Sequence, residues 1–296
     1  MMVRPALLLL LLGLGPLAGR VPAADLTLVP PAIDAGKVAV LRYAGPRPLV
    51  AVARFNGRTI YLTPAGRGAV ALIGADLDLP PGRYPLTLAV SDRRGATRFL
   101  QRTVTVRAVS HAEERLQLPE SMVRPRKPEV VARIARERDR LQAIFGRQTP
   151  GLAVAPFARP VTDPVSSPFG LRRILNGRPR SPHGGVDFRS PRGTAVRAPA
   201  TGTVVLAADL FFTGRTIVID HGEGLFSLFA HLQSSGLKTD ERVSAGDVIG
   251  TVGSSGRSTG PHLHWSVRLR GDRVDPLSLV AVTGKTLDSL EPAGNN

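Results

Sequence analysis

The sequence predicts a mainly β protein: a small front β-sandwich, a connecting helix and a second, larger all-β region. Three observations carry this expectation. Short alternating or β-branched runs, separated by glycine, proline and asparagine turns, fill residues 25–109 and return from 151 onward. Helical spacing of apolar residues is confined to one stretch, 128–145. The chain, at 296 residues, is about two domains long on a prior of ~150 residues each.

Residues 1–23 place Arg4 before an apolar run from Ala6 to about Ala18, followed by small residues up to Ala23. That run is well short of the roughly 20 residues needed to span a bilayer. It reads as a secretory signal removed after Ala23. The expectation is an exported chain, periplasmic or in the cell envelope or beyond it, with no stable membrane span after cleavage.

Residues 25–109 offer strands at Val38–Tyr43, Leu49–Phe55, Arg58–Leu62, Val70–Ile73 and Tyr84–Ser91. Asn56-Gly57 is a type I′ hairpin signal, because both of its turn positions need φ > 0. The alternation of Leu86, Leu88 and Val90 resembles the late strands of immunoglobulin-like sandwiches. No cluster of catalytic residue types falls here, so a spacer, docking or steering role is the default.

The stretch 110–150 loses the strand pattern. Val131, Ile134, Leu141 and Phe145 recur at helical intervals, with Pro128 at the start, Gly146 at the stop and Glu129–Arg133 as an i, i+4 pair. His111, in this connector, is expected to be exposed. From 151 to 282 strands are expected at Gly202–Ala208, Arg215–Asp220, Leu225–Leu232, Asp247–Val252 and His262–Arg270, with a polar tail over 283–296.

There is no cysteine, so disulfides and thiolate metal sites are excluded. The net charge of +16 is almost wholly arginine, since lysine occurs only at Lys37, Lys127, Lys238 and Lys285. A positive field favours anionic partners such as an envelope surface. Aromatics are only 5%, with no ladder on which bases could stack, which argues against nucleic acid.

Five of the six histidines lie within 183–264. In His183-Gly184-Gly185-Val186-Asp187 the two glycines argue against helix, and positions i and i+4 share a face if the segment is extended. In His262-Leu263-His264 a strand sends both imidazoles to one side. His231 closes the apolar run 225–230, at a sheet rim. Two imidazoles, one carboxylate and a position left for water are what a catalytic Zn²⁺ site requires, and such zinc lowers the pKa of water to roughly 7. Ligand type alone leaves Mn, Fe and Co open.

Ser167-Pro168-Phe169-Gly170, His183-x-x-x-Asp187, Ala198-Pro199-Ala200-x-Gly202, Phe229-Ala230-His231-Leu232 and Gly260-Pro261-His262-Leu263-His264-Trp265 follow one another in order. Together they resemble the blocks of the lysostaphin-type (LytM-like) zinc metallopeptidases, secreted enzymes that cut peptide stems or cross-links of peptidoglycan. The resemblance covers about residues 160–280. It implies one zinc held by His183, Asp187 and His264, with His231 and His262 as catalytic histidines beside the metal-bound water. It also implies an antiparallel β barrel or groove of the duplicated hybrid motif type, and peptidoglycan as the partner. Relatives often carry tyrosine where Phe229 stands, a departure that removes a hydroxyl but no ligand.

A competing reading is a non-catalytic wall-binding or amidase-activating module that keeps only the groove. The complete set of ligands and flanking histidines argues against it. Gly256-Arg257-Ser258-Thr259-Gly260 matches a nucleophile elbow, but Pro261 leads into a strand where that device needs a helix. His221 is expected in a turn or as a supporting donor, Asp275 as the cap of a strand end, and Arg172, Arg173 and Asn176 as a polar loop of exposed charge.

Overall fold

The computed structural model describes residues 25–117, 120, 126–151 and 155–288. The signal read at 1–23 and the end of the tail beyond 288 lie outside them. The protein is mainly β, as the alternating runs predict.

The front region is a sandwich of two sheets. Leu26–Val29, Val38–Tyr43, Gly68–Gly74 and Thr63–Ala65 form one; Ile33–Asp34, Thr97–Arg107, Gly82–Ser91, Val50–Phe55 and Arg58–Tyr61 form the other. Asn56 and Gly57 both take positive φ, 46° and 71°, giving the expected hairpin between Phe55 and Arg58. Inward residues of both sheets, among them Leu41, Phe55, Ile60, Ile73, Leu86 and Leu88, close a dry core. The strand Thr97–Arg107, eleven residues long, lies outside the strands expected from the sequence. Its inward Leu100, Val104 and Val106 alternate with exposed Thr, Gln and Arg, a thin apolar signal.

The second region is a ten-stranded sheet with wholly antiparallel pairing. Its main order runs Val165–Ser167, Val186–Phe188, Leu263–Leu269, Leu225–Ser234, Gly214–Gly222, Gly202–Leu210 and Arg242–Val243. Ile217, Ile219, Leu225 and Phe229 point to one core with Trp265 and Phe188. Val218, Phe226, Leu228 and Ala230 point to the opposite face. There the helix Pro128–Phe145 lays down Leu141, Ile144 and Phe145, with the Phe145 and Phe226 rings edge to face at 5.7 Å. Pro128 opens the helix where its missing N–H costs nothing.

Several expectations are corrected. Arg133 pairs with Glu137 at 2.6 Å rather than with Glu129. The connector is not free of strand: Glu113–Leu116 pairs in parallel with Arg172–Leu175, which turns through Asn176-Gly177 into Arg178–Pro179. The β region is followed not by a polar tail from 283 but by a helix, Pro276–Asp288. Asp275 caps that helix instead of a strand end: its Oδ1 accepts the Leu277 N–H at 2.9 Å and its carbonyl accepts from Leu279.

The sandwich docks on the strands and helix near 270–278. Arg273 forks onto Asp76 with bonds of 2.7 and 3.3 Å, Arg58 meets Asp272 at 2.8 Å, and the Asp275 N–H donates to Gly36 O. Val38, Val40, Val70, Leu72 and Leu77 of the sandwich join the second region's core, so the two regions share buried apolar surface. Among the described residues, no helix is long and apolar enough to cross a membrane.

Candidate metal centre

Strand pairing brings the key residues together. Asp187 and His264 are direct partners on adjacent antiparallel strands, and Ala230 faces His264 from the other side. His183 reaches the same point from the loop before Val186–Phe188. That loop is pinned by two backbone bonds, Gly170 N–H to His183 O at 2.8 Å and His183 N–H to Leu171 O at 2.9 Å. The His183 Nδ1–H donates to Pro168 O at 3.0 Å, which leaves Nε2 with its lone pair aimed inward. The Ser-Pro-Phe-Gly block thus orients an imidazole.

Asp187 Oδ1 lies 2.7 Å from His264 Nδ1 and 3.0 Å from His183 Nε2, and the two nitrogens are 3.0 Å apart. These three atoms are a donor set of the size and kind that holds one ion. Burial by itself would raise the Asp187 pKa. The His183 and His264 imidazoles that crowd Oδ1 outweigh it and hold the carboxyl far below the usual carboxylate range. Burial also pushes His264 down, toward the neutral form a metal needs, although Asp187 opposes this. The residues therefore fit a divalent cation such as zinc.

Gly185 is required by close approach. A Cβ there would lie 2.5 Å from Trp265 O and 2.7 Å from His264 Cε1, so the turn between the two ligands admits no side chain.

His231 and His262 stand beside this group, their rings 4.6 Å apart and His231 6.2 Å from His264. His231 does not end its strand, which runs on to Ser234. Ala230 and His231 instead oppose the single residue Thr216 in a bulge, and His231 takes φ 61°. A bulge re-aims a side chain, and this one is held by His231 N–H to Thr213 O and Nδ1–H to Ser255 O, both 2.8 Å. Burial, then repulsion from His264 and His262, lowers the His231 pKa to about 3. The ring is therefore neutral at neutral pH, with a proton-accepting Nε2. The His262 Nδ1–H donates to Gly260 O at 2.9 Å, which likewise leaves Nε2 free to accept. Leu263, the first residue of the strand Leu263–Leu269 and set between the two histidines, is fully buried, as the alternation predicts; His262 precedes the strand on a single bridge to Gly253.

His221 is buried near the end of its strand, two residues before the Glu223-Gly224 turn, and acts as the supporting donor: its Nδ1–H is on Thr201 O and its Nε2 accepts from Ser227 Oγ, both 3.0 Å. His111 is not simply exposed: it is half-buried, with its ring over Gly170, where a Cβ would strike it. Ser258 is bonded within its own loop, to Gly260 O and Ser254 Oγ, in a glycine turn and not a nucleophile elbow. Arg173, expected as loop charge, lies on a strand and binds Asp187 Oδ2 at 2.7 Å. Nothing local in the sequence marks Arg173, Ser255 or Glu114 as neighbours of the site. The paired glycines after His183 were the one available hint for Gly185.

The profile of peptidase family M23 matches residues 181–276, from just before His183 to the start of the last helix. The crystal structure of a Pseudomonas aeruginosa protein described as peptidase M23 aligns with 34% identity and a TM-score of 0.65, covering 84% of this chain and 95% of that one. The chain belongs to peptidase family M23. The lysostaphin-type resemblance read from the sequence blocks is met. That structural alignment also extends into the front region, since residues 151–296 are only about half of the chain.

Two curated relatives of the M23 region carry names. "DD-carboxypeptidase/endopeptidase Mpg" of Neisseria meningitidis serogroup B is 41% identical over 119 residues, 40% of this chain and 27% of that protein. "Peptidoglycan DD-endopeptidase ShyA" of Vibrio cholerae is 38% identical over 114 residues, 38% of this chain and 26% of that protein. The M23 chain thus matches about a quarter of the length of each.

Proposed function

We propose that this M23 protein is a zinc-dependent endopeptidase that hydrolyses peptide bonds in the stems or cross-links of peptidoglycan. The observation that carries the reading is the convergence of His183, Asp187 and His264 on one point, with two further imidazoles presenting Nε2 beside it. His183 Nε2, Asp187 Oδ1 and His264 Nδ1 would hold the zinc. Bound there, zinc supplies a Lewis acid that polarises the scissile carbonyl and acidifies water.

His231 and His262 do the proton work. One of them accepts at Nε2 the proton lost by the attacking water and returns it to the leaving amine, so that oxygen ends on the carbonyl carbon and hydrogen on nitrogen. Once protonated, the same Nε2–H can donate to the oxyanion. The carbonyls of Ser255 and Gly260 fix both rings through Nδ1 and so keep Nε2 for this task. The substrate is supported by the names of the relatives, and the export expected from residues 1–23 would bring the chain to it. The excess of arginine suits contact with an anionic envelope.

The test is digestion of purified sacculi by the full mature chain. Release of new peptide termini, abolished by a chelator and restored by zinc, is the expected result. Wall binding that ignores chelation and releases no product would overturn the enzyme in favour of a binding or amidase-activating module.

A further inference from the structure

We propose that Arg173 is a positioning residue for Asp187 and that Glu114 of the connector holds it there, which makes the connector strand a working part of the metal centre. The inference rests on the metal-site reading above.

Asp187 has two oxygens to satisfy in a buried place. Oδ1 faces both ligand imidazoles, whereas Oδ2 is bound by Arg173 Nη2 at 2.7 Å. Without that partner a buried carboxylate oxygen would be left unpaired, at the cost of its desolvation, and the carboxylate could rotate away from the imidazoles. A charge-assisted bond to a planar guanidinium fixes orientation as well as energy.

An arginine alone would be a poor choice beside a dication, because its positive charge opposes the metal. Glu114 offsets this. Its Oε2 accepts from Arg173 Nε at 3.2 Å, and the two side chains are only 33% and 26% exposed, so solvent screens the pair incompletely. Aspartate, arginine and glutamate together carry one net negative charge. The arginine thus orients Asp187 without leaving a net positive field at it.

The backbone explains how a residue so distant in sequence comes to this place. Glu114 and Arg173 are register partners in the parallel pairing of Glu113–Leu116 with Arg172–Leu175, which continues through Arg172 N–H to Ala112 O at 2.9 Å. One step further back, His111 packs on Gly170, whose φ of 80° and lack of a side chain admit the ring. The Gly170 N–H holds the His183 carbonyl. The connector therefore supports two of the three ligands, Asp187 through Arg173 and His183 through Gly170. These connector residues lie outside 181–276, the stretch that the family profile matches.

The experiment measures zinc affinity by competition with a fluorescent chelator for the full mature chain and for Glu114→Gln, Arg173→Ala and Arg173→Lys, each checked as folded by circular dichroism. Partners that orient metal ligands are worth roughly 10–100-fold in affinity. Arg173→Ala should lose about that much, Glu114→Gln less but in the same direction, and Arg173→Lys should recover part. A merely structural role would lower unfolding midpoints and leave affinity per folded molecule unchanged. Affinities of Arg173→Ala and Glu114→Gln within about threefold of the parent would overturn the proposal while leaving the metal site standing. A parent chain that binds no zinc would overturn both.

Discussion

Replacing Gly185 by alanine adds one methyl group between two proposed ligands. The new Cβ would lie 2.5 Å from Trp265 O, 2.7 Å from His264 Cε1 and 2.9 Å from His264 Nε2, closer than Cβ atoms approach such groups. The carbonyl cannot retreat easily, because Trp265 pairs with Val186 and Phe229 in the ladder and its ring is fully buried. What can move is the His264 ring, and any turn takes Nδ1 from its place 2.7 Å from Asp187 Oδ1. Overpacking of this kind costs ~1–3 kcal/mol. If that strain is released by displacing the ligand, zinc affinity falls about 10–100-fold, since every 1.4 kcal/mol is tenfold. Thermal unfolding with and without zinc reads both effects: the parent should gain stability from zinc, and at the same zinc concentration Gly185→Ala should gain up to about 2.7 kcal/mol less. Parent-like zinc affinity and an unchanged midpoint in Gly185→Ala would refute the reasoning.

Three further outcomes are expected. His231→Ala should keep zinc and lose ~10²–10⁴ in turnover on sacculi, the worth of a positioned base, whereas His264→Ala should lose metal and turnover together; metal analysis beside peptide release separates the two. His221, unfolded, has an ordinary pKa of 6.5, and burial lowers the folded value to about 4 against the opposing bond to Thr201. The unfolded chain thus binds the extra proton first, so stability is full above about 6.5 and falls by about 3 kcal/mol as pH drops to about 4. Urea midpoints between pH 7 and 4 should fall less steeply in His221→Gln, and an identical slope would contradict this. Asp76→Ala should cost about 1–2 kcal/mol, because a half-buried fork with Arg273 is removed at the seam between the sandwich and the second region; urea unfolding that matches the parent would show the fork to be idle.

Strands whose residues alternate strictly were legible in the sequence, as were the Asn56-Gly57 turn and the helix at Pro128. So were the ligand candidates: the alternation of His262-Leu263-His264 puts both imidazoles on one side, and the two glycines between His183 and Asp187 let a short loop bring His183 back to the strand that carries Asp187. What was not legible depends on partners far away in the chain. Glu113–Leu116 looks polar and formless until Arg172–Leu175 lies beside it. Arg173 reads as loop charge, because nothing local says that Asp187 is its partner. His231 looked like a strand end, since a bulge against Thr216 leaves no mark on the apolar run before it. The last helix was missed because Leu277, Leu279, Val280 and Val282 after a proline do not distinguish a short helix from a strand.

The arrangement as a whole is tested most directly by diffraction at the zinc absorption edge from crystals of the full mature chain. The account predicts one anomalous peak about 2.0–2.2 Å from His183 Nε2, Asp187 Oδ1 and His264 Nδ1. A peak bound by other residues, or none in a crystal grown with zinc, would contradict it.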